Sequence, residues 1–325
     1  MAVAVTGPSS AIVMSGAQDS TVRTWGMQLT ADGPTADGLV AVGVGRGHVG
    51  TVECLSVGPS RRVFASGAWD GGLLLWNVTD NGGHDEGGAA GKGEGESVGG
   101  GGETKGEGGS AGGRGSSSSS SKRQRVGGSG SSSRARGSLE ELSPALSLLG
   151  HTKCVSGLAW TSASSLFTGS WDHSIRGWDV ETGTCTATMN GNKVVTALSY
   201  SPLSKLLASA HPDHAVRLWD PRVGGGGDGG AVVKLRLASH TKWVSAVAWS
   251  NHSEHVLLSG SHDSSLKIWD VRSTVPLHTI DAAHEKGKKV LCVGWKSDGD
   301  FVSGGGDCKL KTFRAGVAGG EPSKA

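Results

Sequence analysis

This chain of 325 residues has few cysteines, no long apolar run and a small net charge. The five cysteines are scattered and never spaced C-x-x-C, which favours a reducing compartment over a disulfide framework or a zinc knuckle. No apolar run approaches the roughly 18 residues of a membrane span. The N-terminus lacks the charged and long apolar regions of a secretory signal. We therefore expect a soluble intracellular protein with no membrane partner.

The charge balance gives no sign of non-specific binding to nucleic acid. The net charge is +2, and 18% of the residues are charged, so the chain has no overall basic footprint for nucleic acid. Direct contact with RNA is neither supported nor excluded by this balance. The length allows one large domain or two small ones, and an internal repeat decides between them.

The repeat is visible in the segment GSWDHSIRGWD at residues 169–179, which returns as GSHDSSLKIWD at residues 260–270. The same spacing occurs six times, with an Asp, an aromatic residue six positions later and a hydroxyl residue four positions earlier. The six sets are Ser15/Asp19/Trp25, Ser66/Asp70/Trp76, Thr168/Asp172/Trp178, Ser209/Asp213/Trp219, Ser259/Asp263/Trp269 and Ser303/Asp307/Phe313.

A histidine precedes most copies by 21 to 23 residues, at His48, His151, His240 and His284, while the fourth copy has Asn192 at this place. A period of roughly 40 to 45 residues, with G-H near the start and W-D near the end, is typical of four-stranded propeller blades. Short runs such as VSGLAW and LFTGS, separated by Gly, Asn and Ser, read as strands. The repeat predicts an all-β fold, a WD-repeat β-propeller with six recognisable repeats.

The rhythm of the repeat divides the chain into four regions. Residues 1–78 are expected to hold the first blades, the first of them incomplete, because the chain enters directly in AIVMSG and only MAVAVT offers an inner strand. Gly and Ser dominate the next region, which cannot bury enough apolar surface to order itself and is predicted to be a disordered insertion. The regions are 1–78, 79–147 for the insertion, 148–315 for the remaining four blades and 316–325 for a flexible tail.

A His, a hydroxyl and an Asp in one repeat raise the possibility of acyl transfer chemistry. One site would suffice for an enzyme, whereas this set recurs once per blade. We therefore interpret the sets as structural tetrads that satisfy buried polar groups, and expect neither enzymatic activity nor a cofactor. The sets are His151/Thr168/Asp172/Trp178, His240/Ser259/Asp263/Trp269 and His284/Ser303/Asp307. The H-x-x-H pairs His211/His214 and His252/His255 lack a third ligand and are interpreted as loop histidines rather than a metal site.

The residues just before the turn Asp point toward one rim of a propeller, where loops project from a rigid ring. Trp69, Trp171 and His262 occupy this position, and Lys242 and Trp243 lie in the loop after His240, the histidine of the fifth copy. Exposed aromatic residues are typical interface anchors, so these five residues form a candidate partner-binding rim. The alternative is that the tryptophans only cover neighbouring loops.

The insertion carries a short basic cluster, SKRQRV, with Lys122, Arg123 and Arg125. An exposed cationic run of this kind is typical of a nuclear-import signal. A solvated linker is the alternative interpretation.

The segment from Gly150 to Arg314 resembles a specific family. Four of its segments are similar to those of the nucleolar WD-repeat proteins of large-subunit ribosome assembly, the members of the PeBoW complex that join pescadillo and block-of-proliferation. The segments are GNKVVTALSYSPLSKLLAS, HAVRLWDPR, SHTKWVSAVAWS and AAHEKGKKVLCVGW. The resemblance extends more loosely back to about Ser10. It implies a seven-bladed propeller preceded by a ubiquitin-like domain.

The same resemblance implies a scaffold role in maturing 28S-type and 5.8S ribosomal RNA within pre-60S particles, in the nucleolus and nucleoplasm. The implied partners are the block-of-proliferation and pescadillo homologues, with midasin contacted through the ubiquitin-like domain. No such domain precedes residue 1, so we interpret the sequence as N-terminally truncated. An alternative is a substrate adaptor of a cullin-type ubiquitin ligase, since WDPR at residues 219–222 and WDVR at residues 269–272 fit the W-D-x-R pattern of such adaptors.

Overall fold

Short antiparallel strands account for the regular structure of this chain. A computed structural model describes residues 2–5, 12–30, 33–78, 139–222, 233–296 and 299–314. These described residues form 24 strands in six sheets and contain no helix. The sheets are the six blades of a β-propeller, one for each sequence repeat, which confirms the predicted fold class. The blades are numbered here in chain order.

The strands of each blade follow one another from the innermost to the outermost position. Blade 1 has β1 (Ala2–Val5), β2 (Ile12–Gly16), β3 (Val22–Thr30) and β4 (Gly33–Gly45). Blade 2 has β5 (Val52–Val57), β6 (Val63–Ala68), β7 (Leu73–Asn77) and, after the insertion and β8 (Glu140–Leu142), the outer strand β9 (Leu146–Leu148). Blade 3 has β10 (Val155–Trp160), β11 (Ser165–Ser170), β12 (Ser174–Asp179) and β13 (Cys185–Asn190).

The second half of the chain repeats the pattern. Blade 4 has β14 (Ala197–Tyr200), β15 (Leu207–Ala210), β16 (Ala215–Trp219) and β17 (Val233–Ala238). Blade 5 has β18 (Val244–Trp249), β19 (Val256–Ser261), β20 (Leu266–Asp270) and β21 (Pro276–Ile280). The described strands of blade 6 are β22 (Val290–Trp295), β23 (Asp300–Gly305) and β24 (Leu310–Arg314).

β8 and the first two residues of β9 lie inside the region that was expected to be a disordered insertion, residues 79–147. β8 pairs in parallel with β4 as a fifth strand on blade 1, and β9 pairs with β7. The expected boundary at residue 147 is therefore corrected to residue 138. The physical reason is that Leu142 and Leu148 are buried, at 8% and 1% exposure, and so offset the cost of ordering this stretch. Residues 79–138 and 315–325, which include most of the insertion and the expected tail, lie outside the described residues.

The core lies between neighbouring blades. The first strands of consecutive blades contact each other in chain order from β1 to β22. One hydrophobic cluster joins Leu218 and Leu237 of blade 4 to Val244 and Trp269 of blade 5. Truncation of such a buried tryptophan typically costs about 3–5 kcal/mol. Each blade is thus stabilised by the next one, and the turns at the ends of the strands are held in fixed positions.

In blade 5, the glycine that follows the repeated hydroxyl residue lets the next blade approach closely. A Cβ atom on Gly260 would lie 2.6 Å from Val290 Cγ1 of the following blade. The valine side chain fills the space that a larger residue would need. Ser259 therefore bonds within its own blade, and Gly260 leaves room for Val290 of the next blade.

Candidate functional site

A continuous hydrogen-bond chain runs through the interior of blade 3. Trp178 Nε1 donates to Thr168 Oγ1 at 2.8 Å, and Thr168 Oγ1 lies 2.7 Å from His151 Nε2. On the other side of the ring, His151 Nδ1 lies 2.8 Å from Asp172 Oδ2. These bonds link Trp178, on the third strand β12, to the turn between β11 and β12 and to the loop before β10. The Ser174 hydroxyl donates a further bond to Asp172 at 2.6 Å.

Blade 5 repeats this chain atom for atom. Trp269 Nε1 donates to Ser259 Oγ at 2.8 Å, and Ser259 Oγ lies 2.8 Å from His240 Nε2. His240 Nδ1 lies 3.0 Å from Asp263 Oδ2, which also accepts from the backbone N–H of Thr241 at 2.9 Å. The structure therefore brings together all four residues of the predicted set in both blades.

Blade 6 has a shorter chain. His284 Nδ1 lies 2.9 Å from Asp307 Oδ1, and His284 Nε2 lies 2.8 Å from Ser303 Oγ. Phe313 stands where the other blades have tryptophan and has no N–H to donate. Its ring stacks on Phe301 with centroids 5.3 Å apart. The hydroxyl of Ser303 is therefore the last member of this chain.

In blade 4, the histidine that bonds the buried hydroxyl comes from a different loop. Asn192, at the position equivalent to the other histidines, is exposed. His211, from the turn after β15, takes over: its Nε2 lies 2.7 Å from Ser209 Oγ and its Nδ1 lies 2.8 Å from the carbonyl oxygen of Val194. Ser209 in turn accepts from Trp219 Nε1 at 2.6 Å. His211 lies in a turn, but its side chain is buried at 1% exposure and is a member of the interior chain of this blade.

The Asp of blades 1 and 4 pairs with an arginine instead of a histidine. Arg217 donates to both carboxylate oxygens of Asp213, and Arg23 donates to Asp19. The side-chain hydrogen bond from Arg217 is the main cause that lowers the pKa of Asp213. Blade 2 keeps the histidine, with His48 Nε2 2.7 Å from Ser66 Oγ. In the same blade, Asp70 Oδ2 accepts from the backbone N–H of Val49 at 2.7 Å. The turn Asp of each blade is thus held by a histidine, an arginine or backbone N–H groups.

Burial separates these chains from a hydrolytic site. A nucleophilic hydroxyl must reach a substrate carbonyl, whereas these hydroxyls accept an indole N–H in five blades and lie inside the sheets. The hydroxyl residues are Ser66, Thr168, Ser209, Ser259 and Ser303, each at 0% exposure, and Ser15 at 8%. No substrate has access to them, so the chains do not form acyl-transfer sites.

Protonation follows from the same burial. Burial lowers the pKa of His151 and His240, and it lowers that of His211 to about 4, with the nearby Arg217 guanidinium as the second cause. Burial raises the pKa of Asp172, but hydrogen bonds from Ser174 and His151 outweigh it and bring the value to about 2. At neutral pH the network is satisfied by a neutral imidazole that donates from Nδ1 to the carboxylate and accepts at Nε2 from the hydroxyl.

The rim formed by the turns carries two pairs of aromatic rings. In the first pair, Trp69 of blade 2 and Trp171 of blade 3 lie with ring centroids 5.1 Å apart at an interplanar angle of 54°. Trp69 is 51% exposed, and its Nε1 donates to Glu53 Oε2 at 3.0 Å. Backbone N–H groups fix both residues, Trp69 to the carbonyl of Thr51 and Trp171 to that of Cys154, each at 2.9 Å. The first pair is therefore an aromatic patch with one half-exposed indole and a carboxylate beside it.

The second pair lies on blade 5, where the ring of Trp243 stacks on His262 with centroids 5.9 Å apart and an interplanar angle of 14°. The N–H of His262 donates to the carbonyl of Trp243 at 2.8 Å. An open depression of about 410 Å³ surrounds the stack. It is lined by His214, Lys242, Trp243, His262, Gly287 and Lys289. The three rim residues predicted on this blade thus share one pocket with His214, which the sequence indicated only as a loop histidine, and with Lys289, which no pattern indicated.

Several other predicted features have a clear location. Arg222 and Arg272 of the W-D-x-R segments pair with Asp220 and Asp270 in their own turns, so a local role accounts for this pattern. His255 pairs with Glu254 at 3.0 Å. Within the described ranges no group of three or more His, Cys, Asp or Glu side chains is arranged to hold a metal ion. None of the described segments forms a helix able to cross a lipid bilayer. Lys122, Arg123 and Arg125 lie outside the described residues.

Comparison with known proteins agrees with the geometry. A family model described as WD40, "WD domain, G-beta repeat", matches residues 40–77, 142–179, 183–220, 232–270 and 274–313. A protein of Chlamydomonas reinhardtii named ribosome biogenesis protein WDR12 homolog is 34% identical over 311 residues, which is 94% of this chain and 61% of the relative. A protein of the same name from Nematostella vectensis is 33% identical over 300 residues, with 92% and 61% covered.

The chain spans about three fifths of the length of these relatives. Among solved structures, the crystal structure of the computationally designed Ika8 protein matches with a TM-score of 0.59 at 21% identity, covering 97% of this chain and 70% of that one. At this identity the likeness shows the fold alone.

Proposed function

The chain belongs to the WD40 family, whose model it matches over five repeats, and from that premise we propose that it is a non-catalytic scaffold in ribosome biogenesis. The observation that carries the proposal is its 34% identity, over 94% of its length, to a protein named for ribosome biogenesis. Since the chain covers 61% of that relative, the proposal concerns what the propeller contributes. The buried hydroxyls support the non-catalytic part, because they remove the one catalytic arrangement that the sequence suggested.

In its finer form the proposal places the chain in large-subunit assembly. We propose that it acts in a PeBoW-like complex with pescadillo and block-of-proliferation homologues, on pre-60S particles that mature 28S-type and 5.8S ribosomal RNA, in the nucleolus and nucleoplasm. This part rests on the resemblance of the segment from Gly150 to Arg314. The family relatives are named only for ribosome biogenesis in general.

The rim supplies the scaffold with a binding surface. The half-exposed indole of Trp69 is held by its Nε1 hydrogen bond to Glu53 and by its contact with the Trp171 ring. An indole held in this way is a typical interface anchor, because little side-chain entropy is lost on binding. We assign this patch to a protein partner. The cationic pocket around Trp243 has a different chemistry.

Capture of partners from cell extract tests the proposal. The tagged full chain should retain pescadillo and block-of-proliferation homologues and sediment with pre-60S particles. Trp69→Ala should weaken this capture about 10-fold or more, the loss expected of an interface hot spot. Leu277→Ala is the matched control, because Leu277 is 61% exposed on β21, away from the turns, and its loss should leave capture unchanged.

The competing function gives a different result in the same experiment. A substrate adaptor would retain a cullin and its linker protein without ribosomal particles. That outcome would refute the scaffold proposal. Equal capture by the wild type and Trp69→Ala would instead refute the assignment of the aromatic patch.

Nuclear entry is tested separately. Lys122, Arg123 and Arg125 are proposed to form an import signal, so changing all three to Ala should move a fluorescently tagged chain toward the cytoplasm. A persistent nucleolar signal in this variant would show that entry depends on a partner or on another segment.

A further inference from the structure

The pocket on the rim of blade 5 combines a flat aromatic surface with an excess of positive charge. Trp243 is 46% exposed, and the stacking of its ring on His262 fixes the plane of the indole. Lys242 and Lys289 are both exposed and line the same pocket. None of the described residues that line it is acidic. The site therefore offers a planar aromatic surface in a pocket that two lysines also line.

The cations act on the aromatic pair directly. Burial lowers the pKa of His262, and the ammonium groups of Lys289 and Lys242 lower it further, while Asp263 opposes them. The carboxylate of Asp263 is engaged with His240 and with the N–H of Thr241 inside the blade. At neutral pH the imidazole is thus an uncharged aromatic neighbour, and the two lysines dominate the potential of the pocket.

The pocket has room for a planar ligand. Its volume of about 410 Å³ is within the range of roughly 300–1,000 Å³ that small-ligand sites occupy. Gly287 lines one side with a φ of +82°, and a Cβ atom placed there would meet nothing within 4 Å. A positive φ of this size favours glycine, so the open wall is built into the backbone.

We infer that this pocket binds single-stranded RNA, with one base stacked on the exposed indole face of Trp243 and the flanking phosphates held by Lys242 and Lys289. Proteins that bind single strands combine aromatic platforms with a cationic path for the backbone. The inference deepens the proposed function and rests on it for the source of the RNA. The binding itself is a property of the chain that can be measured without that context.

The comparison with the other aromatic pair favours RNA over a protein ligand here. Trp69 and Trp171 have the carboxylate of Glu53 beside them, which repels a phosphate backbone and suits a protein partner. An acidic peptide would match the lysines of the second pocket but would leave the indole face without a planar group to stack on. Each pair is therefore a natural control for the other.

Fluorescence anisotropy with the purified full chain tests the inference. The probe is a labelled single-stranded RNA of roughly ten nucleotides of mixed sequence, since single-strand sites span about 4–16 nucleotides. Trp243→Ala should weaken binding about 5- to 150-fold, the fold-change that corresponds to loss of one stacked base. Trp69→Ala should bind like the wild type. Melting curves of both variants check that the rim remains folded.

The salt dependence identifies the phosphate contacts. In Lys242→Gln/Lys289→Gln, the slope of log K against log salt should fall in magnitude by roughly 1.4, because each phosphate contact to a single strand contributes about 0.7. An abasic ribose-phosphate strand of the same length should bind as weakly to the wild type as the RNA does to Trp243→Ala.

Three results would overturn the inference: equal RNA affinity of the wild type and Trp243→Ala, equal affinity for the abasic strand and the RNA, or tighter binding of a poly-glutamate peptide than of RNA. The last would indicate an acidic protein ligand. These outcomes are separable from those of the partner capture. Loss of particle association with RNA binding intact would refute the scaffold proposal alone, and the reverse would refute the RNA site alone.

Discussion

Removing the hydroxyl of one interior chain should cost more in a blade that has tryptophan than in the blade that has phenylalanine. In blade 5, Ser259→Ala leaves two buried groups without a partner, Trp269 Nε1 and His240 Nε2. In blade 6, Ser303→Ala leaves only His284 Nε2. Each unsatisfied buried group costs about 1–3 kcal/mol. We therefore expect losses of about 2–6 kcal/mol for the first variant and about 1–3 kcal/mol for the second.

A double-mutant cycle isolates the indole's share of this cost. Trp269→Phe removes the donor, and Phe313 shows that a phenyl ring is accepted at this position in blade 6. In Ser259→Ala/Trp269→Phe the unpaired N–H no longer exists, so the double variant should be less destabilised than the sum of the single variants by about 1–3 kcal/mol.

Urea unfolding followed by circular dichroism measures the cycle, with refolding curves to check reversibility and constant m values to check that the denatured state is unchanged. Thermal melting supplies a second measure, since 1 kcal/mol shifts Tm by roughly 2–4 °C in a domain of this size. Additivity of the two single variants to within about 0.5 kcal/mol, or equal losses for Ser259→Ala and Ser303→Ala, would refute the reasoning.

Three further predictions concern the same scaffold. Burial lowers the pKa of His211 from 6.5 to about 4. The stability that depends on the neutral imidazole is therefore fully present above pH 6.5 and is lost as the pH falls toward 4, about 3 kcal/mol in all. Urea unfolding across this range should show a decline in the unfolding free energy that His211→Asn reduces, and a flat profile would contradict the prediction. Replacing residues 82–138 with a Gly/Ser linker of about ten residues should raise the unfolding free energy by about 1 kcal/mol through the shorter loop. Extending the replacement to residue 143 removes β8, leaves β9 intact and should lower the unfolding free energy by about 2–4 kcal/mol; equal melting of the two variants would show that β8 adds nothing. Gly260→Ala should lower stability by about 1–3 kcal/mol, because its Cβ would lie 2.6 Å from a valine of the next blade. Gly294→Ala is the control and should cost less, since the nearest atom to its Cβ is 3.9 Å away. Melting temperatures measure both variants, and equal losses would contradict the clash.

The repeat spacing predicted the blades because it is set by the fold itself. An Asp in a tight turn and a tryptophan six residues later span one strand, and the interior of every blade needs the same polar groups satisfied. The sequence pattern did not indicate that His211 takes the role that Asn192 cannot fill in blade 4. The imidazole of His211 comes from a different loop, and only its position in space makes it equivalent to the histidines of the other blades. The available signal was that the one blade without the expected histidine has an extra one two residues after its serine.

The rim pocket was predicted only in part for a related reason. Trp243 and His262 stand at repeat positions, so the pattern indicated them. Lys289 occupies the place of Trp243 in blade 6, where its carbonyl accepts from Gly306 as that of Trp243 accepts from His262. Two additional residues in the preceding loop hide this equivalence in the sequence. Sequence spacing also could not indicate β8, a strand of three residues whose role depends on the edge of blade 1.

The position of β9 has a consequence for synthesis on the ribosome. Blade 2 cannot complete its sheet when Asn77 emerges, because its outer strand begins at Leu146. At about 5–20 residues per second, residues 78–145 take about 3–14 s to be translated. During that interval the edge of β7 is a ready partner for any extended segment nearby. A nascent chain of this protein therefore has a defined period of vulnerability to mispairing, and the closing of blade 2 by β9 together with the capping of blade 1 by β8 ends it for both blades almost at once.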